Sequence, residues 1–439
     1  MNSIKLINHS SLIISDGIHS IITDPYLSGS CFNNGWDLIV ETNTPIEKLD
    51  FDYIWLSHEH PDHFSPRDLL RISKKKRNGI TIIYQKTNDK KVVKYCKSKG
   101  FKIKELSDYE EFKISKNFSI IISQHRDSDS WSLFKIGKVN ILNLNDCFIF
   151  TKDKLQDFKK RFGSIDILLT QFSFANWIGN IGDKKKSVEM SKWHLNKFKT
   201  QVDFIKPKYV IPFASFVFFS NEENYYLNKY SVKIKDVINI LEKSESIPII
   251  LYPNERWSIG ENHKNINSTD KWNNAYNNIK NKKLRSINSK SIEDIKKIFN
   301  LYQDRIKRKN SFSHIKELKK EKKLQKTFIR VTDLENFISF DIVDGLEVLN
   351  HLKEDRIDIY MSSDSLYYLL KNEWGRGTLQ INGRFQAGGD GFINFIKQTQ
   401  IAFANNIQKF YPESIAYTEI LNPRNFVLSV HNNKVDSHT

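Results

Sequence analysis

The run SHEHPDH, from Ser57 to His63, constrains the fold of this chain more than any other segment. Three of the 12 histidines in the 439 residues fall within this run, together with one aspartate. Neutral imidazole nitrogen is a preferred donor for Zn²⁺ and Fe²⁺, and carboxylate oxygen completes many such sites. This density of ligand-type side chains favours a metal-binding loop rather than a surface loop that is merely rich in histidine. The predicted ligands are His58, His60, Asp62 and His63.

The flanking residues place this loop between a strand and a helix. Upstream, 51–56 reads FDYIWL, a short apolar run that is typical of a buried strand. Downstream, Ser65 is a predicted N-cap, with Pro66 at the first helical position and Asp68 at the third. Loops at such junctions often carry chemistry in α/β proteins, because the rigid elements fix them.

An apolar strand followed by H-x-H-x-D-H resembles the metallo-β-lactamase superfamily. The segments 8–14 and 23–27 are similar to that superfamily's opening strands and its Asp-Pro turn. His125 follows a strand-like run and matches the next ligand position. Asp146 ends another such run and matches the carboxylate that bridges two metals. The order of these motifs fits across the first half of the chain.

The resemblance implies one or two divalent metal ions, zinc or iron. One ion would be held by His58, His60 and His125. The other would be held by Asp62, His63 and Asp146, with Asp146 as the bridge. A divalent ion lowers the pKa of bound water from 15.7 to about 7. Asp62 is therefore the predicted catalytic residue, because it could orient this nucleophile or accept its proton. Asp24 either supports a ligand histidine through the other ring nitrogen or caps a turn.

One ligand of the superfamily pattern is absent. Members usually supply a last histidine after a late strand, and the equivalent stretch, 206–216, contains none. A single-metal site and an additional water ligand are two ways to accommodate the gap. The side chains that could replace the histidine are Ser215, Asn221, Glu222 and His194.

A narrower resemblance shares this gap. The segments 129–131, 141–147 and 212–216 are similar to the non-Rieske part of the CMP-N-acetylneuraminate hydroxylase family. A Rieske cluster needs two cysteines and two histidines, and the three cysteines of this chain are widely separated. An oxygenase would therefore require electrons from a separate redox protein.

The order of strand-like and helix-like runs predicts an α/β fold. Together with the resemblance, it indicates an αββα sandwich of the metallo-β-lactamase type, followed by a smaller C-terminal α+β domain. Too many early strands follow one another without helices for a plain doubly wound sheet. Residues 1–262 are predicted to form the metal-binding domain. Residues 263–327 are a predicted polar, basic and largely helical connector, and 328–439 a C-terminal domain whose role the sequence does not indicate.

Composition narrows the classes of protein. The formal charge of +17 could attract nucleic acid, anionic lipid or phosphorylated substrates, but no specific nucleic-acid-binding signature accompanies it. Basic residues concentrate at 305–326. This segment is either a solvated helix or an anion-binding surface. The N-terminus lacks signal-peptide features, and no segment reaches the ~20 apolar residues of a membrane span. We expect a cytoplasmic protein without disulfides.

The preferred function is metal-dependent hydrolysis, through metal-bound hydroxide, of an anionic small molecule such as a nucleotide sugar or phosphodiester. Arg126 and Lys184 could meet phosphate groups, while Asn176 and Trp177 could contact a base or sugar; each could also be an ordinary loop residue. An iron-dependent oxygenase that hydroxylates a CMP-sugar-like substrate is the alternative. A non-catalytic binding protein that retains the fold is the second alternative.

Overall fold

The computed structural model describes residues 1–125, 129–388, 391–415 and 419–420. Within these residues, the strand-like runs of the first 262 positions form two seven-stranded sheets and one two-stranded ribbon. The strands are β1 (Ser3–Asn8), β2 (Ser11–Ser15), β3 (Ser20–Thr23), β4 (Trp36–Leu38), β5 (Tyr53–Leu56), β6 (Thr81–Gln85), β7 (Lys102–Leu106), β8 (Glu111–Lys113), β9 (Phe118–His125), β10 (Asp129–Ile136), β11 (Val139–Asn145), β12 (Ile167–Gln171), β13 (Tyr209–Phe213), β14 (Val217–Phe219), β15 (Ile247–Pro248) and β16 (Arg256–Ser258).

The two large sheets stack face to face. The first has the order β16-β1-β2-β3-β5-β6-β7, and the second has the order β15-β13-β12-β11-β10-β9-β8. Alternating apolar residues of both sheets point into one shared core, where Trp55 of the first sheet meets Phe134 of the second. Removal of this apolar surface from water stabilises the sandwich.

Helices cover the outer face of each sheet. They are α1 (Pro66–Arg71), α2 (Lys74–Arg77), α3 (Lys91–Ser98), α4 (Lys152–Phe162), α5 (Lys184–Ile205) and α6 (Ile234–Leu241). Helices α1 and α3 bury Leu69 and Val93 against the first sheet, whereas α4 and α5 bury Phe158 and Phe198 against the second. The layers are therefore α, β, β and α, which confirms the predicted fold class. The helix predicted after Ser65 is broken at Ile72, and α2 starts from a separate N-cap.

A second core follows the sandwich. Its helices are α8 (Ile292–Lys309), α9 (Phe312–Lys320), α10 (Ser363–Lys371), α11 (Gly375–Asn382) and α12 (Gly391–Asn406), and its strands are β17 (Thr327–Val331), β18 (Asn336–Asp341), β19 (Gly345–Leu349), β20 (Ile359–Met361) and β21 (Gln386–Ala387). Short 3₁₀ helices occur at Ile46–Lys48, Tyr225–Tyr230, Ile279–Asn281 and Glu354–Arg356. The five strands form one sheet, of order β19-β18-β17-β20-β21.

The segment 263–327, predicted as a connector, is divided between the two cores. Its first helix, α7 (Asn265–Asn278), buries Trp272 and Tyr276 in the core of the sandwich. Helices α8 and α9 instead bury Phe299 and Leu318 in the second core. The chain thus passes from one core to the other between α7 and α8. In the described parts of the chain, no helix has the length and apolar character that crossing a membrane requires.

Trp272 should contribute strongly to the stability of the sandwich. Its ring stacks on Phe216 with centroids 3.9 Å apart, and its indole N–H donates to the carbonyl of Leu251 over 2.8 Å. We expect Trp272→Ala to lower the free energy of unfolding by about 3–5 kcal/mol, because the change leaves a cavity and an unpaired carbonyl. Urea unfolding followed by circular dichroism measures the loss.

A matched control lies on the same helix. Ile266 is 63% exposed, so Ile266→Ala should change the free energy of unfolding by less than about 0.5 kcal/mol. Equal midpoints for the two variants would contradict the role assigned to Trp272.

Candidate metal centre

The ends of several strands place polar side chains at one edge of the sandwich. His9 follows β1, Asp24 follows β3 and Ser57 follows β5 in the first sheet. Asp129 begins β10 and Asp146 follows β11 in the second sheet. Because the two sheets stack, residues up to 137 positions apart in sequence, from His9 to Asp146, meet at this edge. The loop that carries His58, His60, Asp62 and His63 starts at the same point.

Asp24 fixes the orientation of His63. The carboxylate of Asp24 is fully buried, and its Oδ2 atom lies 3.0 Å from Nδ1 of His63. It also accepts hydrogen bonds from the amide and hydroxyl of Ser57 and from the side-chain amide of Asn145, each over 2.7 Å. Since a carboxylate only accepts, Nδ1 of His63 carries the hydrogen. The Nε2 lone pair of His63 therefore faces the centre of the cluster.

Ser57 fixes His58 in the same way. Its hydroxyl donates to Asp24 and lies 2.9 Å from Nδ1 of His58. With that proton committed, the oxygen of Ser57 accepts from the His58 Nδ1–H group. The Nε2 lone pair of His58 then points at Nδ1 of His60, 2.9 Å away. Two buried imidazoles are thus held in the form that donates to a metal ion.

His9 takes the opposite form. The backbone amide of Phe216 donates to Nδ1 of His9 over 3.2 Å, so the neutral ring carries its hydrogen on Nε2. That atom lies 3.4 Å from Oδ2 of Asp62. His9 therefore acts as a hydrogen-bond donor to Asp62, although by distance alone it could bind a metal.

Within the described residues, three compact groups of side chains could hold a metal ion, with ligand atoms within 4.8 Å of one another. The groups are His58 with His60 and Asp129, His58 with His63 and Asp146, and His9 with Asp62 and His63. They contain five of the six predicted ligands. The sixth, His125, ends β9 and pairs in register with Asp129, but it belongs to none of the groups.

The sequence analysis did not identify His9 or Asp129 as site residues. Asp129 lies 3.9 Å from Nε2 of His58 through its Oδ1 atom. The sequence analysis used the segment 129–131 only as a motif of the resemblance. Its first residue, Asp129, is a possible ligand, and that signal could have been noticed. For His9, no local pattern was available, because its place next to Asp62 results from the packing of β1 against the ligand loop.

The electrostatics of the cluster favour a bound cation. Burial keeps the pKa of His58 well below its usual range, and the nearby His63 and His60 lower it further. Burial also opposes the charged form of His63, but Asp62, Asp146 and Asp24 outweigh it and raise its pKa well above the ordinary value. For Asp62, burial is outweighed by His63 and His9, so its pKa is well below the ordinary value. The Nε2 atom of His63 faces two carboxylates, an arrangement that requires a proton or a metal ion.

The backbone at the cluster is strained. His9, Asp24, Asn145 and Ala214 all have positive φ angles, of 39°, 35°, 48° and 51°. Non-glycine residues in this conformation cost of order 1–3 kcal/mol each and occur preferentially at functional sites. The strain at His9 is held by its carbonyl, which accepts from the amide of Ala214 over 3.0 Å.

The four predicted substrate residues lie in different environments. Arg126 lies outside the described residues. The side chain of Asn176 donates to the carbonyl of Trp177. Trp177 is 2% exposed and packs on Phe385 of the second core, with ring centroids 4.8 Å apart, so its ring is not open for stacking on a ligand. Lys184 is exposed at the start of α5.

The side chains that could replace the missing histidine have other roles in the structure. The hydroxyl of Ser215 accepts hydrogen bonds from the amides of Phe172 and Ser173. Asn221 and Glu222 accept hydrogen bonds from the backbone amides of Glu223 and Ile287. His194 is buried on α5 and packs edge-on to Trp193. Neither Glu222 nor His194 belongs to a metal-binding group among the described residues.

Residues 3–214 match the model of the beta-lactamase superfamily domain. Cytidine monophosphate-N-acetylneuraminic acid hydroxylase of Danio rerio is 23% identical over 252 residues, which are 53% of this chain and 41% of the relative. The chain therefore spans less than half the length of this relative.

Two solved structures are also similar to this chain. A diiron β-hydroxylase from Streptomyces venezuelae has 14% identity and a TM-score of 0.41, with 58% of this chain and 53% of that chain covered. An isothiocyanate hydrolase from Delia radicum gut bacteria has 16% identity and a TM-score of 0.43, with 58% and 99% covered.

The assigned ring forms of His9 and His63 lead to different metal contents. His63 presents a lone pair, so we expect His63→Ala to lower the number of bound ions per chain. His9 presents a hydrogen, so His9→Ala should retain the metal content of the unchanged protein. Elemental analysis of the purified variants measures the ions per chain. Equal metal loss in both variants would show that His9 is itself a ligand.

Proposed function

We propose that this chain is a metal-dependent hydrolase of an anionic small molecule, on the premise that its residues 3–214 match the beta-lactamase superfamily domain. The observation that carries the proposal is the ring form of two buried histidines. His58 and His63 both use Nδ1 as a donor to an oxygen and present Nε2 to the cluster. This is the arrangement of metal-binding imidazoles, whose other ring nitrogen is held by an oxygen acceptor.

The residues fit one or two divalent ions. His58, His60 and Asp129 would hold one ion, and His63, Asp62 and Asp146 would hold the other, with His125 as the remaining candidate ligand. Bound divalent ions supply Lewis acidity and a water that is acidic near neutral pH. Imidazole and carboxylate donors suit both zinc and iron.

Asp62 is the proposed catalytic residue. Its Oδ2 atom faces His9 and His63, while its buried Oδ1 atom has no hydrogen-bond partner among the described residues. Oδ1 is thus the atom that can orient a water molecule entering the cluster, or accept its proton. The Nε2–H group of His9 holds the carboxylate in this orientation.

The carboxylate of Asp146 is held in place by neighbouring side chains. Oδ1 of Asp146 accepts from the side-chain amide of Gln171 over 3.1 Å, so its Oδ2 atom is directed at His63, 3.2 Å away. Gln171 is in turn held by the ammonium group of Lys197, which is 3.3 Å from its oxygen. This chain of contacts fixes the carboxylate that we propose to bridge two ions.

An anionic substrate is supported by a cavity of about 930 Å³ near the start of α5. Its lining contains lysines and tyrosines but no carboxylate: Lys184, Lys229, Lys233, Lys280, Tyr225, Tyr226, Tyr230 and Tyr276. No histidine or aspartate of the metal-binding groups lines it. Val217 lines the cavity, and the backbone amide of its neighbour Phe216 donates to Nδ1 of His9 beside the cluster. We propose that the cavity holds the anionic part of the substrate.

A second candidate function is hydroxylation. The match to a cytidine monophosphate-N-acetylneuraminic acid hydroxylase favours it. In this case the cluster would bind iron, the substrate would be a CMP-linked sugar, and a separate redox protein would supply electrons. The three cysteines are buried without forming disulfides and are widely separated in the sequence, so they do not form the cysteine pair of a Rieske-type site.

Turnover of a chromogenic phosphodiester tests the hydrolase. We expect zinc-loaded protein to cleave bis(para-nitrophenyl) phosphate, and Asp62→Asn to lower kcat by about 10²–10⁴-fold. Asp16→Asn, at the turn between β2 and β3, is the control and should retain activity. Oxygen-dependent hydroxylation of a CMP-linked sugar by the iron-loaded protein, without phosphodiester turnover, would instead establish the second candidate.

The substrate cavity makes a separate prediction. Lys184→Ala should raise the KM for the same phosphodiester by about 3–10-fold with little change in kcat, because a lysine outside the cluster contributes binding that is equal in the ground and transition states. Lys185 is also exposed at the start of α5 but does not line the cavity, so Lys185→Ala should leave KM unchanged. An equal effect of both changes would place the anionic group elsewhere.

A further inference from the structure

The structure assigns the second core a role in the metal centre: its turn Asn382–Arg384 locks the loop Phe32–Asn34, which holds the ring of Phe32 against His60. This inference rests on the proposed metal centre, because His60 is a proposed ligand. Asn382 and Arg384 are then positioning residues that act through Phe32.

The loop has a conformation that it would not adopt without external contacts. Phe32, Asn33 and Asn34 have φ angles of 49°, 54° and 55°. Three successive non-glycine residues in the left-handed region are unfavourable, and such backbone persists where surrounding groups over-determine it. The contacts that do so here come largely from the second core.

Two side chains of the turn bind the carbonyls of this loop. The side-chain amide of Asn382 donates to the carbonyl of Phe32 over 3.0 Å, and Nη1 of Arg384 donates to the carbonyl of Asn33 over 2.6 Å. Gly35 permits the approach, since a Cβ atom there would lie 2.4 Å from Cβ of Asn382. Loop and turn are therefore in direct contact.

Arg384 is itself fixed by buried charges. It is 0% exposed, its Nε atom donates to Glu223 over 2.7 Å, and its Nη2 atom donates to Asp364 over 2.8 Å. Glu223 lies between β14 and α6 of the sandwich, and Asp364 lies on α10 of the second core. A buried guanidinium needs such partners. The geometry therefore leaves Arg384 little freedom to release the loop.

The locked loop reaches the metal centre through one ring. Phe32 is 4% exposed, packs on Trp36 with centroids 4.6 Å apart and meets His60 edge-on at 5.9 Å. His60 is less buried than His58 and His63. The contact with Phe32 limits the positions that the His60 ring can take, and so keeps its Nδ1 atom beside His58.

The inference predicts that metal affinity depends on the turn. We expect Asn382→Ala to weaken Co²⁺ binding by about 10–100-fold, the usual cost of losing a group that orients a ligand. The measurement is titration of the full-length, chelator-treated protein with Co²⁺ against a competing chelator. The visible absorption of bound Co²⁺, which reports its ligand geometry, should change as well.

Asn180 provides a matched control. Its side chain also joins the sandwich to the second core, through two hydrogen bonds of 2.8 Å to the backbone of Ala387. No hydrogen bond connects it to the loop Phe32–Asn34 among the described residues. Asn180→Ala should therefore lower stability without altering Co²⁺ affinity or absorption. Phe32→Leu, which keeps an apolar side chain but removes the ring, should reproduce the affinity loss even if Asn382→Ala does not fold.

The outcomes separate this inference from the proposed function. Equal Co²⁺ affinity and absorption for Asn382→Ala and Asn180→Ala, or an unchanged affinity in Phe32→Leu, would reduce the turn to a structural joint and overturn the inference. Failure of the unchanged protein to bind Co²⁺ would overturn the metal centre together with it. If Co²⁺ affinity depends on the turn but the protein does not cleave phosphodiesters, the inference stands and only the hydrolase proposal is removed.

Discussion

The buried carboxylate of Asp24 is the interaction on which the site depends. It joins the ends of three strands, since β3 precedes it, Ser57 follows β5 and Asn145 ends β11 of the opposite sheet. A carboxylate in an apolar interior is costly unless its oxygens accept several hydrogen bonds. Here those donors include Nδ1 of His63. The requirement to satisfy one charge therefore aligns the two sheets and sets the form of a proposed ligand.

Asp24 also explains why Ser57 precedes the ligand loop. The hydroxyl of Ser57 has one proton and two lone pairs, and all three are used: it donates to Asp24, accepts from Asn145 and accepts from His58. A residue without a hydroxyl would remove one of the two acceptors of the Asn145 side-chain amide and the acceptor of the His58 Nδ1–H group in a buried position. The order of protons around the cluster is thus fixed by groups that need not touch a metal ion.

The sequence predicted the sandwich and its ligand loop because both leave local signals. Apolar runs of four to eight residues mark buried strands such as β5 and β9, and the spacing within 58–63 is that of a metal-binding loop. His9 leaves no such signal, and Asp129 leaves only its place in the motif 129–131, since the roles of both arise from the order of strands in the sheets. The division of 263–327 between two cores was also invisible locally, because a polar, lysine-rich helix does not show which core receives its few apolar residues.

The stack of Trp272 on Phe216 bears on how much of the chain the proposed metal centre needs. The rings lie 3.9 Å apart and nearly parallel, and the amide of Phe216 sets the proton on His9. Trp272 belongs to a helix well beyond residue 214, where the match to the superfamily domain stops. A fragment cut at that boundary would lose Phe216, and one cut at residue 262 would leave its ring bare to water. The folded unit that supports the proposed metal centre is therefore larger than the segment that matches the superfamily domain.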